Sequence, residues 1–125
     1  MGKSRPFIVV IEDDNASAAA LELTLRDWGA DVVCGHLSDA LLRTTSQRSG
    51  AISAIIADFD LGPRPNGVTV SRRLREIAPQ APVLVLSGAF NGGAAQAAAA
   101  AGFDFMNKPA PANAITAWLE RNERA

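Results

Sequence analysis

A single cysteine, Cys34, stands among the 125 residues, so no disulfide can form within the chain. That usage suits a reducing compartment such as the cytoplasm. No apolar run approaches the roughly 20 residues that cross a bilayer, and no signal-peptide pattern opens the chain. The expected location is therefore cytoplasmic, without membrane insertion. The opening Met1-Gly2-Lys3-Ser4-Arg5-Pro6 is not a myristoylation signal, because Pro6 occupies the place of the required Ser or Thr. Lysine and arginine form no cluster and the formal net charge is −1, which argues against direct, sequence-independent contact with nucleic acid. Cys34 and the lone histidine, His36, lack metal-ligand spacing and read as structural or surface residues.

What is present is ordinary for a globular protein: 48% hydrophobic and 20% charged residues. The length suits one core, hence a single domain over 1–125 with its core at about 7–123. Four apolar runs each end on a residue that phosphate or magnesium chemistry can use. Phe7 to Ile11 leads into Glu12, Asp13 and Asp14, and Ile55 to Ala57 leads into Asp58. Val83 to Leu86 leads into Ser87 and Gly88, and Phe103 to Met106 leads through Asn107 to Lys108 and Pro109. Short apolar runs bounded by turn residues are expected as buried strands of a parallel sheet. The third would start near Ala54, and a weaker strand lies at Asp31 to Cys34.

Helical stretches alternate with these strands. Leu21, Leu25 and Trp28 follow i, i+4, i+7, with a Glu22–Arg26 pair on another face and Gly29 as a stop. Ser38 can cap a helix that carries Leu41 and Leu42 and ends by Gly50. After a turn-rich loop from Leu61 to Gly67, Val70, Leu74 and Ile77 mark a third helix, halted near Pro79. The fourth, Gly93 to Ala101, is nearly all alanine, with good propensity but little side chain to bury. A last helix from about Asn113 places Ile115, Trp118 and Leu119 on one face. The expected class is α/β: a doubly wound five-stranded parallel sheet with helices on both faces. Sites in such sheets form outside the carboxyl ends of the strands.

Convergence at that edge has chemical consequences. Magnesium takes oxygen ligands, keeps several waters, and uses one or two carboxylates plus a phosphate oxygen. Glu12, Asp13 and Asp58 brought together would repel, and a divalent cation and the Lys108 ammonium relieve that repulsion. An aspartate so placed can attack a phosphoryl donor and form an acyl phosphate. The three phosphoryl oxygens then need partners: magnesium, Lys108, and the Ser87 hydroxyl with nearby backbone amides. Taken singly, each residue has a plainer reading. Acidic residues after a strand cap helices, as Asp14 or Asn15 could here. Asp58 alone is a loop residue, Lys108 alone a surface charge, and Ser87-Gly88 alone a turn. Their succession at four strand ends favours the joint reading.

These residues resemble the receiver domain of two-component response regulators, the chemotaxis-type domain, over essentially the whole chain. The resemblance implies a (βα)5 flavodoxin-like fold. It matches Glu12 and Asp13 to the family's acidic pair, with Asp14 as the variable residue that follows, Asp58 to its phosphoacceptor and Ser87 to its switch hydroxyl. It matches Lys108-Pro109 to its Lys-Pro, with a candidate cis peptide between them, and Phe105 to its aromatic switch residue. It implies Mg2+ as cofactor, held by Asp13 directly, Glu12 through water, Asp58, and the backbone carbonyl of Asp60. It implies a phosphohistidine donor, on a histidine kinase or a histidine phosphotransfer protein, that meets the first helix over Ala16 to Leu25. Output would pass to a downstream protein partner or a fused domain. On phosphorylation the hydroxyl moves toward the phosphoryl group and the aromatic fills the vacated space. The chain departs from the usual Asp-x-x-Met-Pro-x-x-x-Gly: Asp58-Phe-Asp-Leu61 continues Gly62-Pro63-Arg64-Pro65-Asn66-Gly67, one residue longer and without proline after Leu61. That variant is similar to receivers of hybrid histidine kinases, the alternative to a free-standing regulator. Phe105 also lacks the hydroxyl of the commoner tyrosine, so any switching must rely on ring packing.

Rival readings fit less well. Asp58-Phe59-Asp60 matches the Asp-x-Asp of haloacid-dehalogenase-type phosphatases, but their later acidic pair follows the lysine, and here the acids precede the nucleophile. Gly88 to Gly93 lacks the Lys-Ser/Thr of a P-loop. A pseudo-receiver would have lost the acceptor, an acid or the lysine, and all are present. The expectation is a signalling domain with only self-catalysed phosphotransfer and dephosphorylation.

Overall fold

In the computed structural model, which describes residues 5–35, 38–61, 65–88 and 92–123, strands and helices alternate throughout. In chain order they are β1 (Phe7–Ile11), α1 (Asn15–Trp28), β2 (Asp31–Gly35), α2 (Asp39–Gln47), β3 (Ile52–Asp58), α3 (Gly67–Ile77), β4 (Val83–Ser87), α4 (Gly92–Ala101), β5 (Asp104–Asn107) and α5 (Ala112–Glu123). A 3₁₀ turn at Ser49–Ala51 precedes β3. His36, the Gly62 to Arg64 part of the long loop, and Ala89 to Asn91 of the glycine-containing loop lie outside the described residues.

All five strands are parallel, in the order β2-β1-β3-β4-β5. The chain winds outward from β1 in both directions, so the strand order reverses between β1 and β3. Ligand sites open at such a reversal, outside the carboxyl ends of the strands.

Every residue of β1 is buried, and alternate side chains enter two separate cores. Phe7, Val9 and Ile11 join Ile55, Ala57, Val83 and Val85 beneath Leu41 of α2, Val70 and Leu74 of α3 and Ala98 of α4. Ile8 and Val10 join Ile56, Leu84 and Leu86 beneath Leu25 of α1 and Ile115, Trp118 and Leu119 of α5. This is why the strands read as unbroken apolar runs: both faces of the sheet are covered. Each fully buried Ile or Leu contributes about 1.5–3 kcal/mol relative to exposure.

Local signals set the helix ends. Asp14 caps α1 by accepting from the Ser17 amide at 2.8 Å, and Gly29, at φ 114°, ends it in the left-handed region. Ser38 caps α2 through the Leu41 amide at 3.1 Å. The Arg26–Glu22 pair closes at 2.8 Å. Two strand starts differ from expectation. β3 begins at Ile52, earlier than Ala54, because Ile52 pairs with Phe7 across a register irregularity and is itself buried. β5 begins at Asp104, because the Phe103 amide donates instead to Ala98 at 2.8 Å and closes α4. The alanine helix is docked: Ala94 and Ala98 are wholly buried, and Ala97 and Ala101 pack against the core.

Candidate functional site

Backbone hydrogen bonds carry the ladder one residue past the strand ends, where the chemistry lies. The Glu12 amide donates to Gly35 at 3.1 Å, Phe59 to Leu86 at 2.8 Å, and Lys108 to Ser87 at 2.8 Å. Glu12, Asp58, Ser87 and Lys108 are thus held by the sheet itself rather than by loose loops. The Lys108–Pro109 peptide is cis.

One ammonium ties the first and third strand ends. Lys108 Nζ lies 3.1 Å from Glu12 Oε2 and 3.2 Å from Asp58 Oδ2. Glu12 is only 8% exposed and Asp58 6%, so two carboxylates share one partly sheltered cation. The Glu12 Oε1 accepts from the Asp14 amide at 3.1 Å, and Asp58 Oδ1 from the Asp60 amide, also at 3.1 Å. Burial raises the Glu12 pKa above its ordinary value, with the Asp58 charge adding to it, against the Asp14 and Lys108 hydrogen bonds. For Lys108, burial works to lower the pKa, but the bonds and charges of Glu12 and Asp58 outweigh it and the net shift is upward. The ammonium therefore gains from the pair, whereas Glu12 still carries the cost of burial.

Asp13 sits exposed at the rim. Among the described residues, no three His, Cys, Asp or Glu side chains converge as a ready metal cluster. Lys108 stands between Glu12 and Asp58, two of the three acids expected to meet here. The donor set still fits a hard cation. It is all oxygen, two of the carboxylates are buried around a single positive group, and magnesium requires only one or two carboxylates.

Ser87 is wholly buried, and its Oγ donates to Asp60 Oδ2 at 2.8 Å. Phe105 is half-buried and packs against the core on the α3–α4 side, paired with Val85 across the strands. Cys34 is half-buried, and burial pushes its thiol pKa up. That fits an inert structural residue.

Three contacts were not read from the sequence. The Asp60 side chain reaches Ser87. Asn66 caps α3 by accepting from the Thr69 amide at 3.0 Å, which an Asn ahead of an apolar helical period signals. A Cβ on Gly67 would collide with the Asp58 carbonyl, so this glycine lets α3 start against the acceptor strand. Gly88 lies over the Lys108 stem, where an added Cβ would make ordinary contact at 3.5 Å.

Residues 8–120 match the family model described as "Response regulator receiver domain". This chain belongs to the response regulator receiver family. It is 33% identical over 112 residues to the response regulator protein TmoT of Ectopseudomonas mendocina, covering 87% of this chain and 49% of that protein. The chain spans about half the length of the first curated relatives it matches. A receiver domain structure from Clostridium thermocellum superposes with a TM-score of 0.83 at 22% identity, covering 95% of this chain and 94% of that one. A Burkholderia pseudomallei response regulator, solved with a phosphorylated aspartic acid, a calcium ion and citrate, gives 0.79 at 28% identity, covering 95% and 69%. The receiver is a two-component signalling domain with the flavodoxin-like fold. Among its described residues no helix is long and apolar enough to cross a membrane.

Proposed function

We propose that this receiver accepts a phosphoryl group on Asp58 from the phosphohistidine of a histidine kinase or histidine phosphotransfer protein, in the presence of Mg2+. The observation that carries this is Lys108 bridging the buried carboxylates of Asp58 and Glu12 at the strand-order reversal. The calcium ion and phosphorylated aspartate in the Burkholderia relative support both the acceptor chemistry and a divalent cation.

An Asp58 carboxylate oxygen attacks phosphorus. The Oδ–P bond forms, the donor's N–P bond breaks, and the departing imidazole takes up a proton. Lys108 already neutralises Asp58 and stays beside it to meet a phosphoryl oxygen. The Ser87 hydroxyl and backbone amides meet another. Asp13, Glu12 through water, Asp58 and the Asp60 carbonyl would hold Mg2+, which supplies positive charge to the remaining oxygens. Phe105 follows Ser87 as the ring that repacks. The donor meets α1 over Ala16 to Leu25.

The module comprises one domain, and its setting is cytoplasmic. Output runs through a downstream protein or a fused domain. The length of the curated relatives, about twice that of the chain, favours a regulator with a further domain over the hybrid-kinase alternative, since those relatives are response regulators. Incubation with acetyl phosphate and Mg2+ followed by intact-mass measurement tests the reading. A phosphate adduct is expected on the wild type and none on Asp58→Asn. An unmodified wild type, or an adduct that survives in the variant, would overturn it.

A further inference from the structure

The hydrogen bond from Ser87 to Asp60 has no part in the chemistry above, yet it engages the group that chemistry needs. Ser87 has one hydroxyl proton, and the bond at 2.8 Å donates it to the Asp60 carboxylate. The same residue's amide donates to Asp58 Oδ1 at 3.1 Å. Asp60 therefore touches the acceptor through its backbone and the hydroxyl through its side chain. Ser87 is wholly buried, whereas Asp60 is exposed, so a change at Asp60 perturbs no packing.

From this geometry we infer that Asp60 is a latch on the Ser87 hydroxyl, a positioning residue that opposes phosphorylation by occupying the hydrogen-bond donor that a phosphoryl oxygen needs. The inference rests on the reading of Asp58 as acceptor. A phosphoryl group on Asp58 presents anionic oxygens that compete with the Asp60 carboxylate for one donor. Transfer is complete only when Ser87 turns from one anion to the other. A carboxylate acceptor makes the latch stronger than a neutral one, because bonds to ionised acceptors are the stronger kind.

The test uses Asp60→Ala and Asp60→Asn, each alone and each with Ser87→Ala. The rate of adduct formation from acetyl phosphate and Mg2+ is followed by intact mass. Asp60→Ala should react roughly tenfold to a hundredfold faster than wild type, the range expected for releasing one hydrogen bond to a charged acceptor. Asp60→Asn, whose amide oxygen still accepts, should fall between the two. In the Ser87→Ala background both gains should vanish. In the unmodified protein, three-bond couplings should report one Ser87 χ1 rotamer for wild type and averaging in Asp60→Ala. Equal gains from Ala and Asn, gains that persist without the hydroxyl, or an unaveraged rotamer would overturn the latch and leave only a charge effect or none. A wild type that takes no adduct would instead overturn the acceptor reading, whatever the rotamer shows.

Discussion

Gly67 opens α3 directly against the carbonyl of Asp58, so close that a Cβ would collide with that backbone oxygen. Its own amide donates to Phe59 at 3.2 Å. The residue that ends the long loop and opens α3 is thereby fastened to the strand end that carries the acceptor. A collision with backbone cannot be relieved by turning a side chain. Gly67→Ala should destabilise the fold by about 1–3 kcal/mol, as overpacking does, and slow adduct formation on Asp58. Denaturant melts together with intact-mass kinetics measure both. Wild-type stability would show that the loop yields freely.

Lys108 pairs with two buried carboxylates, Glu12 and Asp58, that the proposed Mg2+ would also draw on. Removing the lysine leaves Glu12 and Asp58 facing each other without a counter-charge, a situation a metal relieves. Asp13→Ala is expected to weaken magnesium binding by roughly tenfold or more, while Lys108→Ala leaves it intact or improved. Titration with a fluorophore attached near the site measures both. The tryptophans serve poorly for this, because Trp118 is bonded to Asp104 at 2.6 Å and Trp28 to Glu120 at 3.3 Å, within the α5 region. Equal loss in the two variants would sink the assigned roles.

The cap of α1 has a defined pH signature. The hydrogen bonds from Ser17 hold the Asp14 pKa below its ordinary value of 3.8. A carboxyl with a depressed folded-state pKa binds fewer protons folded than unfolded, so its contribution is present above the unfolded value and is lost as pH falls through the folded one. Asp14→Ala should therefore melt below wild type at neutral pH and converge with it as pH drops beneath 3.8. Asp14→Ser, a neutral cap, should hold its position through that range. Thermal melts across pH would show a constant gap instead if the cap were not the cause.

The α4 helix buries only small side chains against the core, Ala94 and Ala98 fully among its described residues. Little apolar area is buried per residue, so opening this helix should be inexpensive. Beryllofluoride, a phosphoryl mimic, is expected to change hydrogen exchange most over Gly88 to Ala101 and Phe105, with α1 nearly unchanged. If the largest change falls in Asp14 to Trp28, the output face lies elsewhere.

Strand identity was legible because strand segments covered on both faces read as unbroken apolar runs, as Phe7–Ile11 of β1, residues 54–57 of β3 and residues 83–86 of β4 do. Helix faces were legible for a similar reason: Ile115, Trp118 and Leu119 recur at helical spacing and all three are buried. The acids, hydroxyl and lysine could be assigned to one edge because each follows its strand and parallel strands point the same way. Contacts that depend on how loops fold back were decided only by tertiary structure. Lys108 and Glu12, 96 residues apart, share an ion pair, and Asp60 finds Ser87 across 27 residues. Periodicity describes the face a residue takes along its own element. Which partner waits there is settled by strand order and loop path, and these arise from packing the whole chain at once.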